Sequence, residues 1–274
     1  MTYSLKQSWM LGALAGAVLV LVSNTDAHVV WVETEGTAAP DREQSVKIYF
    51  GEYGEFLREE SGGRLDTIDG VTLKVMDAKR VVTELPLVKK GNFFEGVLAS
   101  CKPGRYAVLA EQKVAEVQDL TKYDHGIVKP MFHARSQFAC YESGRFGERE
   151  PEVAPQFDLD VVPVSKGMNL ADGVTNYWPG GEIVVKVLYK GVPLASRQVI
   201  ARAPIGWDKE LHTDAQGIAT FTPLWSGRYV LEVEHQDKTP GEFKGKPYEA
   251  MRHRATLSLD VVGRSPMDTR HGQR

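Results

Sequence analysis

Apolar residues in this chain recur at every second position, and no window of about twelve residues carries a capped helical period. A period of two belongs to strands that bury one face. "SVKIYFGE" alternates Val46, Ile48 and Phe50 with polar neighbours, and "GEIVVKVLY" puts Ile183, Val185, Val187 and Tyr189 on one face. "HVVWVET", "VTLKVMD", "FFEGVLA", "GRYAVLAE", "ASRQVIARA" and "IATFTPL" read the same way. Glycine, proline and Asp-Gly punctuate between them, as in "SGGRLDTIDG" and "KPGR". The expected fold class is all-β, with room for one short helix.

The N-terminus reads differently. Trp9 to Val22 is an apolar run of about 14 residues, short of the roughly 20 that span a bilayer. Thr25 and Ala27 put small side chains where a signal peptidase reads them. Residues 1–27 are therefore expected to be a signal peptide, with an uncleaved anchor as the alternative. His28 is then the first mature residue and the periplasm the destination. The formal charge of -3 offers no basic excess for nucleic acid or an anionic membrane, so contact with a membrane is expected only through the signal peptide. The two cysteines, Cys101 and Cys140, are expected to bond in an oxidising compartment, with two buried thiols as the alternative.

The remaining chain suits two domains of ordinary size. "ESGRFGEREPEVAPQ" (142–156) is charged, proline-bearing and poor in residues to bury. We place the linker at 145–156, between an N-terminal sandwich over 28–144 and a C-terminal sandwich over 157–263, with a disordered tail at 264–274. Phe157, Leu159 and Val161 should share one face of the strand that opens the second sandwich. "PGRYAVLAE" (103–111) and "SGRYVLEVE" (226–234) repeat Gly-Arg-Tyr, a glycine turn into an inward tyrosine as in immunoglobulin-like sandwiches. The expected architecture is two such sandwiches in tandem.

Two resemblances bear on this. "YKGVPLASRQVIA" (189–201), "HTDAQGIATF" (212–221) and "SGRYVLEVE" make the second half similar to transthyretin-like and carboxypeptidase-regulatory-like sandwich modules. Asp214 and Gly217 there are turn residues, and such modules bind or present rather than catalyse. The whole mature chain resembles a bacterial exported family of unknown function, once labelled a nickel-uptake substrate-specific component. Ala27-His28 with Trp31, Tyr49–Glu52, Pro103–Tyr106 and Ala255-Thr256-Leu257 carry that resemblance. "KYDHGIVKPMFHARSQFACYES" departs from the family, which is aromatic there and lacks the cysteine. The resemblance implies a periplasmic protein associated with metal uptake, whose partners would be inner- or outer-membrane uptake machinery.

Catalytic motifs are missing. The sequence has no Gly-x-Ser-x-Gly elbow, no His-Glu-x-x-His and no phosphate loop, and its carboxylates are scattered. The histidines carry more. His212 and His271 read as solvated, His125 as a turn residue, and His133 as lying on the polar face opposite Phe132, Ala134 and Phe138. His235 shares parity with Tyr229, Leu231 and Val233, and His253 with Ala255, Leu257, Leu259 and Val261, so both point inward. Their strands should pair antiparallel and bring the two rings to one end of the sandwich.

A mature His28 would offer an α-amine and an imidazole from one residue, both readily deprotonated near neutral pH. With His235 and His253 it would form an all-nitrogen site suited to copper or nickel. The leading reading is a non-enzymatic periplasmic accessory protein that binds a transition metal at His28, His235 and His253. A two-sandwich binding or surface-presentation protein with no metal is the alternative, and a copper-dependent oxidase a distant third. The three-ligand site requires that the first strand reach the same end of the second sandwich.

Overall fold

A computed structural model describes residues 28–140, 155–164, 168, 169 and 175–263. The expected signal peptide, nearly all of the linker, and the tail with His271 lie outside the described residues. The period-two segments are strands, and the described residues contain no α-helix. In the first half these are β1 (Val29–Thr34), β2 (Gln44–Glu52), β3 (Thr72–Asp77), β4 (Val82–Leu85), β5 (Phe94–Leu98), β6 (Gly104–Gln112) and β7 (Ile127–Cys140). In the second half they are β8 (Leu159–Pro163), β9 (Ile183–Tyr189), β10 (Gln198–Arg202), β11 (Asp208–His212), β12 (Ile218–Phe221), β13 (Gly227–Asp237) and β14 (Ala250–Val261). Instead of a helix there are two short 3-10 turns, Arg64–Ile68 and Thr121–Tyr123.

The two halves share one sheet. A ten-stranded sheet has the path β11-β10-β13-β14-β7-β6-β3-β4, with the two-residue strands Thr37–Ala38 and Gln118–Asp119 also paired to β7, and β7 joins β14 in parallel register, Val128 opposite Ala250 through Arg135 opposite Leu257. Beyond Arg135, β7 pairs with β6, from Ser136 opposite Val108 to Cys140 opposite Gly104. The single strand thus hands the sheet from one half to the other. Pro130 sits in the stretch that pairs with β14, opposite Arg252, where β6 is not yet a neighbour. A proline can be held there because one side of the backbone has no ladder to break.

Each half closes over a different face of this sheet. On one face Leu73, Val75, Val108, Ala110, Phe132, Ala134 and Phe138 meet Val30, Val46, Ile48 and Phe94 of the smaller β1-β2-β5 sheet. On the other, Val199, Leu231, Val233, Ala255, Leu257 and Leu259 meet Leu159, Val161, Val185, Val187 and Phe221 of the β8-β9-β12 sheet. The architecture is therefore all-β and sandwich-like, with the central layer common to both cores.

Local devices agree with the sequence. Cys101 and Cys140 are bonded, with Cα atoms 6.1 Å apart, and tie the end of β7 to the loop before β6. The repeated Gly-Arg-Tyr does the same work twice. The Tyr106 hydroxyl accepts from Lys102 N at 2.9 Å, and the Tyr229 hydroxyl from Trp225 N at 3.2 Å, four residues upstream in each case. Gly227 has φ +126°, and a Cβ there would come within 2.7 Å of Pro204. One expectation fails: Phe157 precedes β8 instead of joining it, and packs on Met76, Ala107 and Leu109 of the first half while Leu159 and Val161 enter the second core.

A buried ion pair fastens β8 to the shared sheet. Arg135 Nε and Nη2 donate to the Asp160 carboxylate at 2.9 and 2.5 Å, with side chains 2% and 1% exposed. Removing one partner strands a charge in a dry layer. We expect Asp160→Asn to lower unfolding free energy by about 3–5 kcal/mol in denaturant titration, and an Arg135→Met, Asp160→Leu pair to recover most of it.

Candidate functional site

The antiparallel register of β1 on β2, Val29 opposite Gly51 and Val30 opposite Phe50, brings His28 beside Glu52 when extended by one step. Gly51 makes the rest of the site. Its φ is +148°, and a Cβ there would lie 2.2 Å from Leu57 O, so only glycine lets the Leu57–Arg58 segment fold back onto β2. Glu59 N then donates to Phe50 O at 2.8 Å, which delivers the Glu59 side chain to the same ring.

His28 is 8% exposed, with carboxylates at both nitrogens. Nδ1 lies 3.2 Å from Glu52, and Nε2 meets Glu59. The Arg64 Nη1 also lies 3.1 Å from Nε2. One nitrogen cannot donate to Glu59 and accept from Arg64 at once, so these contacts are alternatives for the ring. Two carboxylates thus flank one imidazole, one at each nitrogen. The His28 carbonyl accepts from Arg254, and Phe50 lies against the ring with centroids 5.3 Å apart. Trp31, three residues on from His28, stacks on Tyr49 at 5.4 Å and packs with Val230, which holds the start of β1 against the second half.

His235 and His253 do come together. β13 and β14 are antiparallel with the two histidines directly opposite, as the parity of the sequence implied. His28 is not with them. Arg254 and Thr256 reach from β14 to the His28 and Val30 carbonyls, whereas the side chains of neighbouring Ala255 and Leu257 enter the core on the far side. Alternation therefore puts His253 and His28 on opposite faces of the shared sheet. Among the described residues no group of three or more His, Cys, Asp or Glu is arranged to hold a metal ion.

His133 is the residue that sequence reasoning misread. Its parity was right, opposite Phe132 and Ala134, but the face it occupies is covered and the ring is fully buried. Phe157 lies over it at 5.2 Å between centroids. His133 Nδ1 is 3.1 Å from Glu111 and Nε2 is 3.1 Å from His253 Nδ1, so Glu111, His133 and His253 form a chain. The far nitrogen of His253, Nε2, is buried without a hydrogen-bond partner among the described residues. Burial raises the Glu111 carboxyl, but hydrogen bonds from His133 and Lys113 outweigh it and hold the group below its usual value. In the tautomer that presents Nδ1–H to Glu111, His133 Nε2 is the acceptor for His253. Tyr189 packs on both His235 and His253, at 4.3 and 5.3 Å. The available sequence signal was "RHR" (252–254), two cations flanking a histidine inside an otherwise alternating strand.

On the His28 face, Arg64, Arg252 and Arg254 line a cavity of about 270 Å³ with Phe50 and Phe132. Sequence reasoning named none of these arginines, because what gathers them is the pairing of β7 with β14.

The fold and sites define an all-β protein with two sandwich cores on one sheet, His28 between carboxylates on one face of it and a cluster of His133, His235 and His253 on the other. The chain belongs to the family described as Domain of unknown function (DUF4198), whose model matches residues 25–237. No curated protein matches it. Among solved structures it is similar to a biofilm-associated protein BSP domain, at 11% identity and TM-score 0.23 over 86% of this chain and 30% of that one. It is also similar to a DUF4785 family protein from Legionella pneumophila, at 13% identity and TM-score 0.28 over 77% of this chain. The chain spans 52% of that protein's length.

Burial, with the neighbouring His133 charge second, lowers the His253 pKa to about 4 from 6.5. The unfolded chain therefore binds the extra proton first as pH falls. The folded state keeps its full stability above about pH 6.5 and loses it progressively toward pH 4, by on the order of 3 kcal/mol. We expect His253→Gln to flatten that part of the stability–pH curve in chemical denaturation at pH 4, 5, 6 and 7.

Proposed function

We propose that this chain is an exported, non-enzymatic binding protein that takes a transition metal ion, copper or nickel, at His28 once residues 1–27 are removed. The observation that carries the reading is a buried His28 ring with carboxylates at both of its nitrogens, at the expected mature N-terminus. The freed α-amine and Nδ1 would form a chelate ring from one residue, with Glu52, which faces Nδ1, as the nearest completing donor, while Glu59 lies at Nε2 on the other edge of the ring. A mixed nitrogen and oxygen set suits the tetragonal preference of Cu(II) and Ni(II). His235 and His253, on the other face of the sheet, stand outside this set. A protein of this kind would work with metal-uptake machinery of the cell envelope, as the sequence resemblance implies.

The alternative, a binding protein without metal, draws on the guanidinium-lined cavity that opens beside the same histidine. Isothermal titration of Cu(II) and Ni(II) separates the two. The comparison is between protein starting at His28 and protein with one extra residue ahead of it. The extension removes the amine from the chelate and leaves every side chain. We expect one ion per native-start chain, affinity at least about a hundredfold weaker in the extended form, and no change in a His235→Ala, His253→Ala variant. Equal affinity in the two forms, or a secreted product that begins elsewhere, overturns the metal reading.

A further inference from the structure

The cavity beside His28 has one cationic wall and one apolar wall. Arg64, Arg252 and Arg254 form the first, and no Asp or Glu is among its lining residues. Phe50 and Phe132, edge to face at 5.6 Å, form much of the second, with Leu120 and Pro130 beside them. The arginines come from two elements. Arg252 and Arg254 lie two apart on β14, hence on one face, and Arg64 opens the 3-10 turn Arg64–Ile68.

Placing guanidinium groups inside a sheet sandwich is costly unless anions meet them. Glu234 serves both strand arginines: Arg252 Nη2 donates to it at 2.7 Å, and Arg254 Nε lies 3.5 Å away. The guanidinium-bearing side chains line the cavity, and Glu234 does not. Arg64 Nη1 lies 4.0 Å from Glu59, and its side chain is 60% exposed, so of the three it is the arm that can turn toward a ligand. Arg252 and Arg254 also line a neighbouring cleft of about 720 Å³ that adds Arg197, Arg202 and Lys122, with Asp124, Glu232 and Glu234 among them.

We propose that this cavity binds a small organic carboxylate with a flat apolar body. The carboxylate would sit on Arg64 and the β14 arginines, whose planar forks match it, and the apolar body would lie against Phe50 and Phe132. Inorganic phosphate satisfies the first wall and leaves the second bare. A nucleic acid does not fit a cavity of this size. The inference is independent of the metal proposed at His28.

The test uses phenylacetate, its neutral isostere phenylacetamide, and inorganic phosphate, titrated into chelator-treated protein. Ligand-observed NMR and calorimetry read the binding. We expect phenylacetate to bind one per chain and the other two at least about tenfold more weakly. Arg64→Ala should weaken phenylacetate at least about tenfold. Gln118→Trp, which plugs the cavity from an exposed lining position, should abolish binding while thermal melting stays unchanged. No binding of phenylacetate, binding unaffected by either variant, or phosphate binding as tightly as phenylacetate overturns the proposal. Because no metal is present, failure here leaves the His28 chelate untouched, and failure of the chelate leaves this result standing.

Discussion

The parallel ladder between Val128–Arg135 of β7 and Ala250–Leu257 of β14 is the constraint on which the rest depends. It joins the last long strand of each half and converts two sheets into one. Parallel pairing needs a long connection, and here most of the second half of the chain lies between the two strands. The ladder also explains why β7 is buried on both faces, including Lys129, His133 and Arg135. A polar residue in such a strand must find a partner indoors. Lys129 donates to the Lys113 and Ala115 carbonyls, each at 2.7 Å, and burial lowers its pKa to about 8. His133 finds Glu111 and His253, and Arg135 finds Asp160.

The same ladder sorts the chemistry. Odd-numbered side chains of β14 enter the second core and even-numbered ones turn toward β1, so consecutive residues serve different sites. His253 belongs to a dry chain of imidazoles ending at Glu111. Arg252 and Arg254 belong to a cavity with His28 at its edge. The two histidine sites are chemically unlike. One surrounds a single ring with carboxylates. The other buries its imidazoles where added charge is penalised, as the lowered His253 pKa records.

Much of this was legible in the sequence. Alternation located the strands, the repeated Gly-Arg-Tyr marked the same tyrosine-anchored turn in both halves, and the lone cysteine pair became a bond. Parity put His235 and His253 on one face, and their strands pair antiparallel as expected. What the sequence could not carry was the pairing of strands far apart in the chain, since periodicity reports which face a residue takes and not which strand lies alongside. Two tandem sandwiches were expected, but not a layer common to both. That is why His28 was grouped with His235 and His253, and why nothing in "MFHARSQF" showed that its polar face would be covered. A charged pair such as Arg252 and Arg254 in an apolar strand was the visible hint that another element would cover that face.

If the shared sheet is the organising unit, the two sandwiches unfold together, and native-state hydrogen exchange tests this most directly. Amides of β7, β14, β2 and β9 are followed under rising denaturant. The account predicts that the most protected amides of all four strands converge on one free energy of opening with one denaturant slope. Convergence on two separate isotherms, with β2 and β9 opening independently and β7 parting from β14 first, would contradict it.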